Sequence, residues 1–330
     1  MFLESFESLA PLDRADSFWN RQIFETYQVD PFCCSTYWQF SCYQAFQPDR
    51  RLMLRQNDQS LLAFIEFTDT LGRAYLTPLD LGWKFGSPLL GQGAVDLFQE
   101  VLVEIEDYYY PAFPGIVISG IASNSDFAAQ LLHSTQTAFN LYLNDRGTQC
   151  SADLSGGYTG YLSRRSRNHR RSLKKQAKRA RQKQIVFERH SPVNDEQATG
   201  IFARMLNIES RSWKGIEQCG MTESPSTEYY DLMIKRLARD NNVRIIIARH
   251  DEQDIGYIFG GILNGIYRGQ QFSFDNAWKK ESIGNLLQKE KIQWLCEEGI
   301  SRYDMGPMME YKQHWTEQQV DFETWVLIKK

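Results

Sequence analysis

The sequence has few cysteines and no long apolar run. Its six cysteines among 330 residues show neither metal-ligand spacing nor a dense disulfide framework, which favours reduced thiols in a cytoplasmic protein. No stretch of 18 or more apolar residues is present, so we expect no membrane span. The first residues lack a basic segment followed by an apolar one, which argues against a secretory signal. The histidines also lack ligand spacing, and we expect no metal.

The composition that remains is that of a globular protein with an ample core. Hydrophobic residues make up 42% and aromatic residues 13%, which excludes disorder of the whole chain. The length suits two domains, and small and turn residues cluster at 148–157. Each half has the order helices, three-strand meander, helix and further strands, and the meander of the second half is predicted over 243–250, 254–267 and 269–275. We therefore predict an α/β fold with mixed sheets, used twice, with domains at 1–152 and 153–330.

Positive charge is concentrated in one run that leads the second domain. Residues 164–183 hold eleven Lys or Arg and no acid, so the remaining 310 residues hold 26 basic and 41 acidic groups. Apolar residues recur at three- and four-residue steps, which predicts a helix with one thin buried stripe. Its charge is typical either of a solvated helix or of a helix that binds a phosphorylated ligand, a nucleotide or an RNA backbone. Arg170, Arg171 and Lys174 are its candidate ligand contacts.

The segment FSFDNAWKKESIGNLL predicts a strand, a short loop and a helix. The first N–H groups of a helix have no intrahelical partner and lie at the positive end of its dipole, which suits a phosphate. A glycine at position 284 would allow close approach to the backbone. The alternative is an ordinary helix start capped by its serine. The candidate phosphate contacts are Lys279, Lys280, Ser282, Ile283, Gly284 and Asn285.

A carboxylate, a phenol and an amine follow in SRYDMGPMMEYKQHW. Asp304 ends a short predicted strand before a Gly-Pro turn, and Tyr311 and Lys312 come within the next eight residues. Such groups suit acid–base chemistry when they converge. Each also has a structural interpretation, as a turn residue or as part of the core.

Together these patterns resemble the Fem-like branch of the GNAT superfamily of N-acyltransferases, in particular bacterial exopolysaccharide-associated acetyltransferases. The residues that carry the resemblance are Arg170, Arg171, Trp213, Phe274, Asp275, Gly284, Asp304, Gly306, Tyr311, Lys312 and Trp315. The resemblance implies tandem GNAT-like domains, of which the N-terminal one is degenerate. It also implies that the helix over 283–298 lies where GNAT enzymes bind the pyrophosphate of acyl-CoA. Of the common GNAT loop, WKKESIGN keeps only Gly284 and Asn285.

The activity that the resemblance implies is transfer of an acyl group from acyl-CoA, with acetyl-CoA as the expected donor. The acceptor would be a primary amine of an amino sugar or amino acid derivative, acylated by direct transfer in an oriented complex. Asp304 or Asp275 would be the base, Tyr311 the acid for the leaving group, and Lys312 the group that stabilises the oxyanion. No Cys or Ser lies in a nucleophile signature, so no covalent acyl-enzyme is predicted.

Acceptor binding is assigned to the end of a predicted helix and to the strand before the loop. Glu209, Arg211 and Trp213 precede the loop KGIEQCGMTESP, and Phe274 precedes Asp275. A tryptophan at such a position packs in a core more often than it contacts a ligand. Two other functions stay open: a Fem-type transferase that uses aminoacyl-tRNA, and a non-catalytic protein that binds nucleic acid through the basic helix.

Overall fold

The computed structural model describes residues 4–6, 16–46, 49–80 and 82–330. The chain divides into two compact units, one formed by residues 1–149 with 320–330 and the other by residues 150–319. Residues 320–330, which the sequence places in the second domain, thus lie in the first unit. The reason is strand pairing, since Val326 is opposite Val117 in an antiparallel ladder.

The first unit combines helices with a sheet. Its helices are α1 (Asp16–Gln22), α2 (Pro31–Cys34), α3 (Thr36–Phe46), α4 (Ala94–Tyr109) and α5 (Asp126–Thr135). The strands that lie wholly or mainly in it are β1 (Glu4–Phe6), β2 (Leu52–Gln56), β3 (Ser60–Thr68), β4 (Ala74–Thr77), β5 (Leu89–Gly91), β6 (Gly115–Ala122), β7 (Phe139–Asp153) and β13 (Gln318–Lys329). The predicted α/β class with mixed pairing is confirmed here, because β4 and β6 are parallel whereas β2, β3 and β4 form an antiparallel meander.

Helix α4 covers one face of this sheet. Its buried residues recur at three- and four-residue steps and include Phe98, Val101 and Ile105, which gives the apolar face that a surface helix buries. Phe98 lies with Phe64 of β3 and Ile116 of β6 in one cluster of buried side chains. Burial of these apolar faces is the main force that holds the helix on the sheet.

Strands β4 and β6 pair at only two registered positions, Tyr75 with Gly115 and Leu76 with Ile116. Beyond them, the loop after β4 occupies the space between the two strands. Ser119 of β6 donates a hydrogen bond to the carbonyl of Gly86 at 2.5 Å, and a side chain at Gly120 would meet the carbonyl of Phe85 at 2.5 Å. The wedge between the parallel strands of the first unit is therefore filled by its own main chain.

The second unit repeats the meander, helix and parallel strand. Its helices are α6 (Gly157–Ser163), α7 (Arg167–Gln182), α8 (Asp195–Ser210), α9 (Trp213–Ile216), α10 (Ser226–Arg239) and α11 (Ile283–Glu297). Its strands are β8 (Val186–His190), β9 (Val243–His250), β10 (Gln253–Leu263), β11 (Ile266–Phe274) and β12 (Arg302–Pro307). Strands β8 to β11 pair antiparallel in sequence order, and β12 joins β11 in parallel.

The basic run forms helix α7, as predicted. Its thin apolar stripe is real, since Ala177 and Ala180 pack in a cluster with Leu286 and Leu287 of α11. The predicted strand over 254–267 is wrong in one respect, because β10 turns into β11 at Asn264 and Gly265. Both turn residues have positive φ, 48° and 73°, which is the backbone of a two-residue hairpin turn.

No helix within the described residues has the length and apolar content that a membrane span requires. Residues 1–3 and 7–15, on which the expectation of no secretory signal depends in part, lie outside the described residues.

Candidate active site

The candidate site lies where the two parallel strands of the second unit part. Strands β11 and β12 are in register at three positions, which end with Arg268 opposite Asp304. Strand β11 then continues to Phe274 and β12 to Pro307 without further pairing between them. Because ligands of open α/β sheets bind in the crevice at the carboxyl ends of parallel strands, this wedge is the candidate ligand site.

Asp304 lies at the base of the wedge and is completely buried. Its Oδ1 accepts a hydrogen bond from Nε of Arg302 at 2.6 Å, and its opposite neighbour in the ladder is Arg268. A buried carboxylate held by a guanidinium is an anchor for the surrounding charges. Asp304 therefore contacts other protein groups and is withdrawn from any solvent-borne substrate.

Lys312 lies five residues beyond the end of β12 and is only 7% exposed. Its Nζ donates a hydrogen bond to the carbonyl of Pro307 at 2.7 Å, at the end of β12. Burial, together with the neighbouring charge of Arg268, lowers the pKa of Lys312 to about 8. An amine with such a pKa has a useful neutral fraction near physiological pH and can accept a proton.

Tyr311 is the next residue and is 44% exposed. Its ring meets the ring of Phe272 on β11 edge-on, with centroids 5.6 Å apart, and Nζ of Lys312 is 5.7 Å from the centre of the Tyr311 ring. Burial raises the pKa of Tyr311 to about 12, so its phenol is protonated at neutral pH. The structure thus brings Tyr311 and Lys312 together beyond the end of β12, the strand that carries Asp304.

Asp275 lies elsewhere, seven residues along the chain from Arg268, or about 23 Å at the rise of a strand. Its Oδ2 accepts a hydrogen bond from Nε of Arg211 at 2.7 Å, and its Oδ1 accepts the N–H of Ala277 at 2.9 Å. Arg211 also donates to the carbonyl of Asp254 at 2.7 Å. These contacts make Asp275 and Arg211 a bridge between α8, β10 and the turn before α11.

The start of α11 presents the predicted phosphate contacts on one continuous turn. The side chains of Lys279, Lys280 and Asn285 are exposed, whereas that of Ile283 is buried. Ser282 does not cap the helix with its side chain. No acceptor outside α11 takes the N–H groups of 283–285 within the described ranges. They are therefore available to an anion.

Gly284 has a packing role at this turn. A side chain there would meet the ring of Phe272 at 3.1 Å and the ring of Phe274 at 3.4 Å. The glycine thus lets α11 lie close against β11. Phe274 also packs in the cluster that contains Leu286 and Leu287, which makes it a partly buried core residue.

Nine of the eleven cations of the basic run separate into two sets. The first set is bound to other protein groups. Arg164 and Arg165 pair with Glu317, and Arg179 and Lys183 pair with Glu281. Arg170 donates to the carbonyls of Leu162, Ser163 and Arg165. Arg170 thus satisfies carbonyls at the end of α6. The other set lies exposed at steps of four, three and four residues on α7, and we name it the α7 stripe: Arg167, Arg171, Lys174 and Lys178. Over the described ranges no acid pairs with these four.

The remaining candidate acceptor contacts differ in exposure. Glu209 is completely buried, and its Oε2 accepts the hydroxyl of Tyr257 at 3.0 Å while its Oε1 accepts the N–H of Met221 at 3.3 Å. It therefore fixes the loop after α8 to the sheet. Trp213 begins α9 and is 49% exposed, so its ring is open to a ligand.

Two side chains at this site escaped the sequence analysis. Arg268 is 4% exposed and is the lone charge in the strand IYRGQQFSF, a signal that was visible in the sequence. Nζ of Lys214 donates to Oε1 of Gln271 at 2.6 Å and to the carbonyl of Phe272 at 3.1 Å. Lys214 thereby fastens the loop that carries Trp213 to β11, a contact between distant segments that no local pattern indicates.

No group of three or more His, Cys, Asp or Glu side chains that could hold a metal ion is found in the part of the chain that the structure describes.

Comparison with known proteins gives a domain match and several similar folds. Residues 167–313 match the family model for an acetyltransferase (GNAT) domain. No curated protein matches the chain. A conserved protein of unknown function from Bacteroides thetaiotaomicron superposes with a TM-score of 0.64 at 10% identity, over 99% of this chain and 100% of that chain. FemX superposes with a TM-score of 0.64 at 10% identity, over 93% and 95%. L-PGS from Bacillus licheniformis gives 0.54 at 12% identity, over 86% and 85%.

The matched segment spans the basic helix, the meander, α11, β12 and Lys312, and so covers the wedge and its charged groups. The second unit therefore contains an acetyltransferase domain of the GNAT type, and the protein is a transferase. At these identities the solved structures show a shared fold and nothing finer.

Proposed function

We propose that the protein transfers an acyl group, with acetyl-CoA as donor, to the primary amine of an amino sugar or amino acid derivative by direct transfer. The observation that supports the proposal is the pair Lys312 and Tyr311 just beyond the end of β12, where the amine of Lys312 donates to the carbonyl of Pro307. A poised amine and a protonated phenol next to a GNAT wedge are the two groups that amide formation from a thioester needs.

We assign the base to Lys312. Asp304 is buried on a guanidinium and Asp275 is bound to Arg211, so neither carboxylate has a free path to a substrate. Neutral Lys312 accepts one proton from the acceptor ammonium. As the acceptor nitrogen bonds to the acyl carbon and the carbon–sulfur bond breaks, Tyr311 gives its phenolic proton to the departing sulfur. Tyr311 then takes the second proton from the acceptor nitrogen, and Lys312 releases the first to solvent. The resulting Lys312 ammonium also places a positive charge beside the developing oxyanion.

Donor binding is assigned to the first turn of α11. The free N–H groups of 283–285 and the exposed Lys279 and Lys280 fit a pyrophosphate. Arg171 and Lys174 are eight and five residues before Arg179, the α7 residue that reaches Glu281, or about 12 and 8 Å along a helix. We therefore place the donor on α11 and leave those two side chains to the α7 stripe.

The acceptor is assigned to the side of the wedge below α9. Trp213 supplies an exposed aromatic face there, and Lys214 holds its loop against β11. The first unit is assigned no catalytic role, because its loop at Phe85 and Gly86 fills the equivalent wedge. In this respect it fits a degenerate GNAT-like domain that supports the active one.

The test is a turnover assay with acetyl-CoA and a panel of amines that includes D-glucosamine and the free amino acids, read by mass spectrometry of the product. Lys312→Ala should lower kcat/KM by about 10²–10⁴-fold. Lys235→Ala, which removes a lysine paired with Asp231 on α10, should leave kcat/KM within twofold. Equal activity of the two variants would contradict the assignment, and thermal stabilisation by CoA provides an independent check of donor binding.

A second function has one observation in its favour. The α7 stripe places four exposed cations along about 16 Å of helix, and such a row fits the phosphates of an RNA. A Fem-type transferase that takes its acyl group from aminoacyl-tRNA would use this surface. The discriminating experiment offers charged tRNA and acetyl-CoA to the same preparation. Product from charged tRNA alone would replace the first function by the second.

A further inference from the structure

We propose that Arg268 is a positioning residue of the transfer reaction, because its buried guanidinium lies against Gly306 while the amine of Lys312 is held on the carbonyl of the next residue, Pro307. The inference rests on the proposed function, because it explains how the base of that reaction is kept ready. Arg268 does not itself reach the substrate in this assignment.

The position of Arg268 is set by the fold. It occupies the last registered pair of β11 and β12, opposite Asp304, and it is 4% exposed. Its guanidinium donates to the carbonyl of Gly269. It also lies against Gly306, where a side chain would meet its NH1 at 2.8 Å and its NH2 at 3.0 Å. The absence of a side chain at Gly306, which has φ +79°, is what makes room for this charge.

The titratable and charged groups around the end of β12 come from four elements. Arg268 belongs to β11, Asp304 to β12, Cys150 to β7, and Tyr311 to the turn that carries Lys312 itself. Burial raises the pKa of the Cys150 thiol and that of Tyr311, so both are uncharged at neutral pH. The charges that remain are the positive charge of Arg268, which adds to burial in lowering the pKa of Lys312, and the carboxylate of Asp304.

Asp304 completes the arrangement by offsetting the cost of a buried guanidinium. It is shared with Arg302, which binds its Oδ1 at 2.6 Å but does not act on Lys312. One arginine thus binds this carboxylate, and the other lies opposite it in the ladder and close to Gly306. This pair supplies the matched control.

The deciding experiment follows the Nζ and Cε chemical shifts of Lys312 in lysine-labelled protein as a function of pH. Lys312→Arg assigns the signal. In Arg268→Gln the midpoint of the Lys312 titration should rise by about one pH unit. At pH 7 the variant would then hold about tenfold less neutral amine. Arg268→Lys keeps the charge and should stay near the wild-type midpoint, and so should Arg302→Gln. An unchanged midpoint in Arg268→Gln, or an equal rise in Arg302→Gln, overturns the inference.

A kinetic arm separates this inference from the proposed function. With acetyl-CoA and D-glucosamine as substrates, the pH at which kcat/KM reaches half of its plateau should be higher in Arg268→Gln. The increase should equal the rise in the titration midpoint of Lys312. A midpoint that moves while the pH of half-plateau stays would remove Lys312 as the base and leave the Arg268–Lys312 coupling intact. If Arg268→Gln does not fold, Gly306→Ala takes its place, because the added methyl group displaces the guanidinium, and the same outcomes apply.

Discussion

At the scale of single residues, burial decides what a charged group does in this protein. Asp304 and Lys312 are eight positions apart and both lie under 10% exposed, yet they have opposite uses. The carboxylate of Asp304 accepts a hydrogen bond from Arg302, so its negative charge is compensated within the protein. The amine has a carbonyl and a like charge beside it, so its proton is easily lost.

The pH dependence of turnover is the first consequence. Since the pKa of Lys312 is lowered to about 8 and the neutral amine is the active form, kcat/KM should rise with pH and level off above about pH 8. Tyr311 has its pKa raised to about 12, so no loss from its ionisation is expected below pH 10. A profile that is flat from pH 6 to 9 would show that the titrating group of the reaction lies elsewhere.

Lys291 gives a stability prediction at the same scale. It is completely buried between the rings of Tyr267 and Trp294, and its Nζ donates to the carbonyl of Arg244 at 2.8 Å. Burial lowers the pKa of Lys291 well below its usual value. The unfolded chain then binds more protons than the folded one just below pH 10.5, so this residue makes stability rise with pH there.

The variant Lys291→Met keeps the apolar stem and removes that titration. Urea unfolding at several values between pH 7 and 10 should show the free energy of unfolding of the wild type gaining on that of the variant as pH rises. The gain should be about 1.4 kcal/mol for each unit by which the pKa is lowered. Parallel pH curves for the two proteins would rule out a lowered pKa for Lys291.

At the scale of elements, α7 shows how one run of charge serves two purposes. Part of it is structural, because Arg170 donates to carbonyls at 2.8, 3.0 and 3.3 Å and so joins α7 to the end of α6. The α7 stripe, in contrast, has no acid to bind within the described residues. Like charges at these steps repel one another on a helix, and an anionic partner would relieve that repulsion.

Arg170 and Arg171 form a natural matched pair on this helix. Both substitutions to alanine remove one positive charge from α7, but only Arg170→Ala removes hydrogen bonds to the three carbonyls. We expect Arg170→Ala to lower the free energy of unfolding by about 1 kcal/mol and Arg171→Ala to change it by less than about 0.5 kcal/mol. Chemical denaturation of the two variants measures the difference, and equal values would remove the role of Arg170 at the end of α6.

At the scale of the whole molecule, charge is distributed unevenly, with a net of −4 and a cationic stripe on one helix. The affinity for a polyanion should therefore depend on the cations of the α7 stripe and not on the net charge of the protein. Replacing Arg171, Lys174 and Lys178 by glutamine should weaken binding of an RNA duplex and make its salt dependence shallower by about three counterions.

The control for that experiment removes three cations far from α7 in sequence: Arg21, Lys84 and Lys330, also replaced by glutamine. It should leave both the affinity and the salt slope near the wild-type values. If the two triple variants lose affinity equally, the binding is non-specific and the α7 stripe has no particular role in it.

Much of the fold could be predicted from local pattern. The α11 helix was expected over 283–298 and runs over 283–297, because its apolar spacing and start signals are contained in adjacent residues. The turn at Asn264 and Gly265 was missed, although Asn-Gly is a strong hairpin signal, because apolar and aromatic residues on both sides suggested one long strand.

The element order, the separation of charge and the residue types at the end of β12 can be read from the chain without coordinates. Those features depend on neighbours along the chain, where periodicity and turn chemistry are visible. Packing alone places Arg268 opposite Asp304, binds Asp275 to Arg211, and fills the wedge of the first unit with its own loop. These contacts join segments between 33 and 64 residues apart, and burial and charge coupling at such separations depend on how the chain packs, which no local pattern specifies.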